Sequence, residues 1–344
     1  MINCSPRFNI FFGDNAAGKT SILESIYYLS TGKSFRSRHH DRIILHTENQ
    51  LTIFACLNLN KSEIPLGLQR IRDGSLQIKI SEETVYSIAE ISRYLPVQFI
   101  GSDSHRILSD GPKCRRQFLD WGLFHANPLF FTQWKAFQKL LMQRNAALKM
   151  RASRDELSIW NNEFSLVGEA LNTLRQKYVD QFLPFFHKIA HVLLKDVLIN
   201  IEYASGWDKN SSLEACLAQN VSRETFAGHS LFGPHRADLS ITVNGLPAQD
   251  VLSQGQQKLV SYSLRLAQGL QLQSVSEKTP IYLIDDLPAE LDTEKRHLVT
   301  EILSAINAQV FITGIESRDF AEIYSLHSDN QMFHVKHGAV INAE

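Results

Sequence analysis

Apolar residues form short runs on both sides of a central segment that carries longer, helical repeats instead. The short runs predict β-strands at residues 8–12, 51–58, 66–72, 76–80, 94–101, 199–204, 239–243 and 281–284. Asp73-Gly74 and Asn244-Gly245 are turn signals, and the first predicts an antiparallel meander. From about residue 111 to 195 the apolar spacing is helical and glycines are few, which predicts long packed helices.

This pattern predicts an α/β fold with a helical domain inserted into it. The 344 residues exceed what one ordinary hydrophobic core accommodates, so more than one domain is expected. Residues 1–110 should form the first part of an α/β head that contains the meander. Residues 111–197 should form an inserted helical arm, and residues 198–344 the remainder of the head.

Composition narrows the class of protein. Hydrophobic content of 44% and charged content of 21% are typical of a soluble globular protein. The four cysteines are scattered, without a C-x-x-C pair, which favours a reducing cytoplasm and disfavours a zinc site. No apolar run approaches membrane-spanning length, so we expect a cytoplasmic protein without membrane contact. The formal net charge of −1 means that any nucleic-acid surface must be a local patch.

A phosphate-binding loop lies between the first predicted strand and a helical repeat. It has the pattern G-x-x-x-x-G-K-T and consists of Gly13, Asp14, Asn15, Ala16, Ala17, Gly18, Lys19 and Thr20. Glycines let backbone N–H groups turn towards a phosphate, and the helix N-terminus adds partial positive charge. Lys19 is expected to bridge the β- and γ-phosphates of ATP, and the Thr20 hydroxyl to ligate Mg²⁺.

The predicted strand at residues 281–284 ends in two acids, Asp285 and Asp286. Four apolar residues running into carboxylates are typical of a buried parallel strand whose C-terminal end faces a ligand crevice. Asp285 is expected to hold Mg²⁺ together with Thr20. Asp286 is expected to orient the attacking water, which makes it the candidate catalytic carboxylate. A strand that merely ends in a polar turn is the alternative.

A third segment, residues 252–258, precedes an amphipathic helix. Ser253 and Gly255 could simply cap this helix. Upstream of a strand that ends in two acids, they also resemble the signature segment of ABC-class ATPases. That resemblance implies that Ser253, Gly255 and Gln256 contact the nucleotide held by a second copy of the chain. Residues 289–292 then resemble the D-loop, and Thr313 the switch residue, which adds it to Asp286 and Lys19 as a catalytic candidate.

Over essentially its whole length the chain resembles the RecF family of bacterial DNA replication and repair proteins. The resemblance rests on the phosphate loop and on residues 33–36, 111–120, 233–236, 252–258, 285–286 and 290–292. It implies an ABC-type P-loop ATPase head with an antiparallel β meander and an inserted helical arm. It also implies slow ATP hydrolysis with Mg²⁺, and an ATP-dependent homodimer on single-stranded or gapped duplex DNA. RecO and RecR are the implied partners, and RecA loading the implied outcome.

Arg36 and Arg38 resemble the arginine loop of SMC heads and are the expected DNA contacts. The chain also departs from the family pattern. Family members usually carry a further strand ending in Phe-Arg-Asn ahead of the first apolar strand, so we expect an N-terminally shortened chain with an exposed sheet edge. Ala16 replaces a common loop glycine, and Ala289 a common D-loop serine. These departures bear on nucleotide affinity and hydrolysis more than on the fold.

Two other functions fit parts of the pattern. The nucleotide-binding subunit of an ABC transporter shares the loop, the signature and the acidic strand, but has a shorter helical insertion and usually a glutamate after the first acid. In a P-loop kinase the segment at 252–258 would be incidental, and no dimer would be needed. DNA binding separates the first alternative from a repair protein, and gel filtration with and without ATP separates the second.

Overall fold

The computed structural model describes residues 2–59, 62–276 and 278–342. Within them the strands are β1 Phe8–Phe12, β2 Gln50–Leu59, β3 Ser62–Ile71, β4 Leu76–Ile80, β5 Glu83–Val85, β6 Val97–Ile100, β7 Ile199–Ala204, β8 Asp238–Val243, β9 Leu246–Pro247, β10 Ile281–Ile284, β11 Val310–Gly314, β12 Gln331–Lys336 and β13 Ala339–Asn342. The α-helices are α1 Lys19–Thr31, α2 Ile88–Tyr94, α3 Arg106–Ser109, α4 Pro112–Ala126, α5 Phe130–Lys149, α6 Arg154–Leu194, α7 Leu213–Gln219, α8 Val221–Ala227, α9 Ala248–Val251, α10 Gln254–Ser276, α11 Leu287–Glu290, α12 Thr293–Ala305 and α13 Ala321–Ser325.

The chain divides into two compact units. Unit 1 comprises Met1–Ser104 and Lys278–Glu344, and unit 2 comprises His105–Glu277. The division does not follow the predicted domain boundary between residues 197 and 198. Residues 198–277, which include the signature segment, group with the helical segment because α10 packs along α6. An apolar helix face shows in sequence that a partner exists but not which partner it is.

The main sheet of unit 1 has the order β13-β12-β1-β11-β10-β6. All neighbours from β12 to β6 are parallel, and β13 runs antiparallel to β12. The inner parallel strands β1, β10 and β11 are almost continuously apolar, as is typical of sheets that helices cover on both faces. Phe11 of β1 is fully buried and stacks against Phe311 and Phe333 on the two neighbouring strands, with ring centroids 6.4 and 4.9 Å away. The carboxyl ends of β1, β10 and β11 therefore lie side by side.

A second sheet in unit 1 is the predicted antiparallel meander, with the order β2-β3-β4-β5. Burial alternates along β2, and its inward residues Leu51, Ile53 and Ala55 pack against the core that also contains α1. This is the period-two pattern of a strand with one solvated face. The β3–β4 turn falls at Asp73-Gly74, where the Gly74 N–H donates to the Ile71 carbonyl over 3.0 Å.

Unit 2 is built on the long helices α4, α5, α6 and α10, of which the first three lie within residues 111–197, the segment predicted to be helical. The 41-residue α6 begins with a capping box formed by Ser153 and Glu156, which satisfies backbone donors at its start. The fully buried guanidinium of Arg144 pairs with the buried Glu224 carboxylate and also donates to Asn161. A buried ion pair of this kind persists only when hydrogen bonds satisfy both partners. Strands β7, β8 and β9 complete the unit as a small antiparallel sheet.

Within the described part of the chain, no helix combines the length and the apolar character that a membrane span requires.

Candidate functional site

The phosphate loop of unit 1 leads from β1 into α1, as the sequence predicts. Gly13 has a φ of 145°, and a Cβ atom there would lie 2.3 Å from the Val335 carbonyl oxygen. Only glycine fits at that position. Gly18 has a φ of 109° and forms the N-cap of α1. Ala16 adopts a left-handed φ of 65°, where an L-residue is strained. Alanine at this position, where glycine is common, therefore adds backbone strain to the loop.

Lys19, at the first position of α1, is buried, with 9% of its surface exposed. Its Nζ donates to the carbonyl oxygens of Gly13 at 2.7 Å and Asp14 at 2.8 Å. These bonds hold the ammonium group over the loop. A cation fixed at a helix N-terminus beside a run of glycine backbone can receive anionic oxygens without further rearrangement of the chain.

Two acids follow β10, and the first of them, Asp285, is hydrogen-bonded to a hydroxyl group of the loop. Thr20 donates from Oγ1 to Oδ1 of Asp285 over 3.1 Å, and Thr313 donates to the same oxygen over 2.7 Å. The Asp286 N–H in turn donates to Thr313 Oγ1 over 2.8 Å. Lys19, Thr20, Asp285 and Asp286, predicted from separate stretches of sequence, thus lie together at the carboxyl edge of the sheet.

Thr313, the candidate switch residue, lies near the end of β11 and next to Asp285. It is 1% exposed, and its hydroxyl accepts from one acid's backbone and donates to the other acid's side chain. The register that pairs Ile284 with Ile312 places the following residues, Asp285 and Thr313, side by side. Thr313 is therefore a positioning residue for the acids, which the sequence motif alone did not indicate.

Asp286 has the left-handed backbone of a helix N-cap, with φ 54° and ψ 48°. Partial burial raises the pKa of its carboxyl, and the neighbouring Asp285 and Glu290 carboxylates raise that pKa further, while Lys19 lowers it. A carboxylate with a raised pKa is a better proton acceptor than an ordinary one. The environment of Asp286 is consistent with the role of orienting and deprotonating a water molecule.

The donor set also fits a hydrated magnesium ion. The Thr20 hydroxyl and the Asp285 carboxylate are hard oxygen ligands joined by one 3.1 Å hydrogen bond. Mg²⁺ is usually bound in proteins through one or two such oxygens while it keeps several waters. At Gly18 an added Cβ atom would meet nothing closer than 3.6 Å, which leaves room there for phosphate oxygens.

In unit 2 the signature segment caps α10. The Gln256 N–H donates to Ser253 Oγ over 3.3 Å, and the Gln256 side chain accepts from the Ser253 N–H at 3.0 Å. This is a capping box, so the capping alternative is correct as far as the local geometry goes. Ser253 and Gly255 are nevertheless exposed, and a Cβ atom added to Gly255 would meet nothing within 4 Å. The helix start is open to an incoming group.

The predicted DNA contacts lie on the exposed segment after α1. The Arg36 side chain is 57% exposed and reaches Glu24 at 3.6 Å, while Arg38 is exposed. Between them and the core, the Phe35 ring stacks on Phe99 with centroids 3.8 Å apart. An anchored aromatic ring beside exposed arginines presents cationic groups at a fixed place on unit 1.

Two further motifs that carry the resemblance meet inside unit 2. Arg115 pairs with Asp238 at 2.7 Å, and Arg116 donates to the Ala237 carbonyl at 2.7 Å. Arg175, held by Asp120, donates to the Pro234 carbonyl, also at 2.7 Å. Arginines from two helices thus fix the segment 233–238. In the sequence Arg175 stands out only as part of a basic cluster with Lys177, and its contact with this segment could not be predicted because no motif surrounds it.

His235 of the same segment is packed among aromatic rings. Its ring lies 6.2 Å from Phe137 and 6.3 Å from Phe164. Burial, with nearby arginines, lowers the pKa of His235 to about 4, against a weaker opposing effect of its hydrogen bond to Ser230. The neutral imidazole at pH 7 is a structural member of unit 2.

The sequence profile of the RecF/RecN/SMC N terminal domain family matches residues 1–339. The chain is similar to the DNA replication and repair protein RecF of Coxiella burnetii strain CbuG_Q212, with 44% identity over 334 residues, 97% of this chain and 92% of that protein. It is 41% identical over 337 residues to the same-named protein of Shewanella baltica strain OS185, with coverage of 98% and 93%.

Two solved structures are similar in fold. A structure titled as the recombination mediator protein RecF-ATP in the RecFOR pathway superposes with a TM-score of 0.86 at 23% identity, covering all of this chain and 93% of that one. An Smc head bound to the C-winged helix domain of ScpA superposes with a TM-score of 0.61 at 13% identity, covering 100% and 92%. At these identities the likeness concerns the fold, and it agrees with the predicted ATPase head.

Proposed function

The chain belongs to the RecF family of DNA replication and repair proteins, and from that premise we propose that it is an ATP-dependent DNA-binding protein of recombinational repair. The observation that carries the proposal is the hydrogen bond between Thr20 of the phosphate loop and Asp285 of the acidic strand. It joins the two elements that bind and hydrolyse a nucleoside triphosphate in P-loop ATPases. ATP and Mg²⁺ are the proposed cofactors.

In the proposed reaction, backbone N–H groups of the loop and the Lys19 ammonium hold the β- and γ-phosphates. Thr20 and Asp285 hold Mg²⁺, which when bound neutralises charge on the phosphate oxygens. Asp286 would orient a water for in-line attack on the γ-phosphorus and accept its proton, which its raised pKa favours, while the bond from the γ-phosphorus to the bridging oxygen breaks and ADP leaves. Thr313 keeps the two acids in register through its bonds to both. We propose that hydrolysis is slow, as expected of a protein in which bound ATP controls association of two copies.

In this proposal the binding site for the γ-phosphate is completed by a second copy of the chain. Ser253, Gly255 and Gln256 of the partner supply the exposed start of α10, whose backbone donors favour an anion. Two ATP molecules then join a two-fold homodimer in which each loop faces the partner's signature segment. ADP lacks the group that bridges the copies, so hydrolysis releases the dimer.

The biological setting follows from the family. We place the dimer on DNA at single-strand gaps and gapped duplexes, in the cytoplasm, with RecO and RecR as partners and RecA loading as the result. The names of the relatives support replication and repair, and nothing in the described residues favours the transporter subunit or the kinase. Arg36 and Arg38 are the proposed phosphate contacts because they are exposed cations on an anchored segment.

A pair of variants tests the composite site. Ser253→Arg should place a bulky cation at the contact with the partner's nucleotide, leaving ATP binding by the monomer intact while abolishing ATP-dependent dimerisation in gel filtration. Ser274→Arg, at an exposed serine near the other end of α10, is the matched control and should dimerise normally. If Ser253→Arg dimerises as well as the control, the segment is a helix cap only.

Mixing Ser253→Arg with Lys19→Ala protomers gives the stricter result. Neither variant should hydrolyse ATP alone. In a mixed dimer one site carries both lesions and the other neither, so ATPase activity should return in proportion to the mixed species. No recovery over a range of mixing ratios would contradict a site shared between two copies.

A further inference from the structure

The turn between β12 and β13 touches the phosphate loop. The Gly338 N–H donates to the Ala17 carbonyl over 2.9 Å, and a Cβ atom on Gly18 would lie 3.6 Å from the Gly338 Cα atom. Upstream on the same hairpin, the Val335 carbonyl closes the space beside Gly13. The last hairpin of the described chain is therefore packed directly against the loop.

The conformation of the turn is specific. Lys336 pairs with Ala339 across the hairpin, which leaves His337 and Gly338 as a two-residue connection. Their φ angles are 49° and 79°, as in a type I′ turn, in which both central residues are left-handed. Asparagine and glycine are the favoured residues there, so His337 occupies a position that its backbone alone would not select. The turn is also held in place by the Phe12–His334 ring stack at its foot, with centroids 4.9 Å apart.

The order of the strands fixes which end of a nucleotide this turn borders. Asp285 and Thr313 follow β10 and β11, on one side of β1, and they define the magnesium and γ-phosphate end of the site. The β12–β13 turn lies on the other side of β1. A triphosphate chain that starts at the proposed Asp285 end and continues along the sheet edge past β1 would bring its α-phosphate and ribose to the side of β12, beside the turn.

We propose that the turn Lys336–His337–Gly338 forms the nucleoside-side wall of the site, with the Lys336 and His337 side chains contacting the α-phosphate and ribose of a bound nucleotide. Both side chains are exposed, and within the described chain neither belongs to an ion pair or a side-chain hydrogen bond of its own. An ammonium group beside the loop suits an anionic oxygen, and an imidazole suits a ribose hydroxyl. This proposal rests on the proposed function, since it assumes that the loop binds a nucleotide.

The assignment predicts a distinct affinity pattern. ATP and ADP share the α-phosphate and ribose, so the turn should contribute equally to both, whereas pyrophosphate carries neither group. Because both side chains are exposed, their removal should weaken binding of each nucleotide by roughly three- to thirtyfold. The Gly338 amide, which already bonds to the loop, should exchange with solvent more slowly when ATP is bound.

The test is calorimetric titration of ATP, ADP and pyrophosphate into the full chain and a Lys336→Gln/His337→Asn variant. Glutamine keeps the reach without the charge, and Asn-Gly is the preferred type I′ pair, so the variant retains the hairpin. Lys79→Gln, on the exposed face of β4 in the same unit, is the matched control and should bind as wild type. The expected result is an equal decrease of ATP and ADP affinity with unchanged pyrophosphate affinity.

The outcomes separate the two proposals. Wild-type nucleotide affinity in the double variant overturns the assignment of the turn while leaving the proposed function in place. An equal decrease of pyrophosphate affinity also overturns it, because the effect would then act on the whole loop. A wild-type chain that binds no nucleotide overturns the proposed function and this inference together.

Discussion

Thr313→Val tests whether one buried hydroxyl holds the acidic pair in register. Valine keeps the shape of threonine and removes the oxygen that accepts from the Asp286 N–H and donates to Asp285. The position is 1% exposed, so water cannot readily replace the missing hydroxyl. We expect unit 1 to be destabilised and the acids to lose their fixed geometry.

The magnitude follows from the two bonds. Losing a hydrogen bond to a charged group costs about 1.5–3 kcal/mol, and leaving a buried N–H unpaired costs about 1–3 kcal/mol. The bonds belong to one network, so their contributions are not additive, and we expect about 2–4 kcal/mol in all. Thr313→Ser keeps the hydroxyl and removes one buried methyl group, at about 1 kcal/mol. Valine lacks the oxygen and serine lacks the methyl group, so the valine variant should be the less stable of the two by about 1–3 kcal/mol.

The assay must report on unit 1. All four tryptophans (Trp121, Trp134, Trp160 and Trp207) lie in unit 2, so tryptophan fluorescence follows that unit. Native-state hydrogen exchange of β10 and β11 measures the opening free energy at the site, with amides of α6 as an internal reference. In Thr313→Val the free energy of opening of β10 and β11 should decrease by about 2–4 kcal/mol, and that of α6 should be unchanged.

Valine and serine variants that agree within about 0.5 kcal/mol would refute the reasoning, because the hydroxyl would then contribute no more than one buried methyl group. ATP titration of the same variants extends the test. The valine variant should bind ATP·Mg²⁺ more weakly than the serine variant, since Asp285 no longer has the hydroxyl that orients it.

Three further predictions concern neighbouring features. Ionisation of Asp286 opposes folding because its pKa is raised, so Asp286→Asn should stabilise unit 1 at pH 7, while ATP hydrolysis slows and ATP binding persists. The gain in stability should shrink as the pH falls through the raised pKa and disappear below the ordinary aspartate pKa; a gain that is constant with pH would exclude the charge effect. Ala16→Gly relieves roughly 1–2 kcal/mol of left-handed strain and costs about 0.4–1 kcal/mol through the unfolded chain, so hydrogen exchange should show a net gain between about 0 and 1.6 kcal/mol, and a net decrease would contradict the strain. Replacing Arg36 and Arg38 by alanine should lower the salt slope of DNA binding by about 0.7–0.9 for each phosphate that is no longer neutralised, whereas the exposed Arg318→Ala should not; a wild-type slope would move the DNA-binding surface elsewhere.

The features that could be predicted from the sequence are those for which a function requires a local pattern of residues. The phosphate loop needs glycines at fixed spacing next to a helix start, and Gly13 and Gly18 have the positive φ angles that this requires. The strand at residues 281–284 needs to be apolar because it is buried, and its acids lie at the end that meets the loop. Such features depend on a few neighbouring residues, so they can be identified without knowing the rest of the fold.

Relations between distant strands could not be found in this way. The role of Thr313 depends on the pairing of Ile284 with Ile312, and the contact of Gly338 with Ala17 depends on β12 lying beside β1. Neither Thr313 nor Gly338 lies in a sequence pattern that indicates its partner. The same limit explains the domain boundaries, because the apolar face of α10 does not state that α6 covers it.

The two halves of the proposed composite site are each satisfied on their own. Lys19 rests on two loop carbonyls, and Ser253 is occupied in its capping box. In the proposed ATP-bound dimer, Lys19 exchanges neutral carbonyl acceptors for charged phosphate oxygens, which are stronger partners. Ser253 gains a second acceptor while its backbone cap persists, since a hydroxyl can donate and accept at once. Lys19 and Ser253 thus have hydrogen-bond partners before assembly, and in the proposed dimer the γ-phosphate supplies the added interaction that favours association.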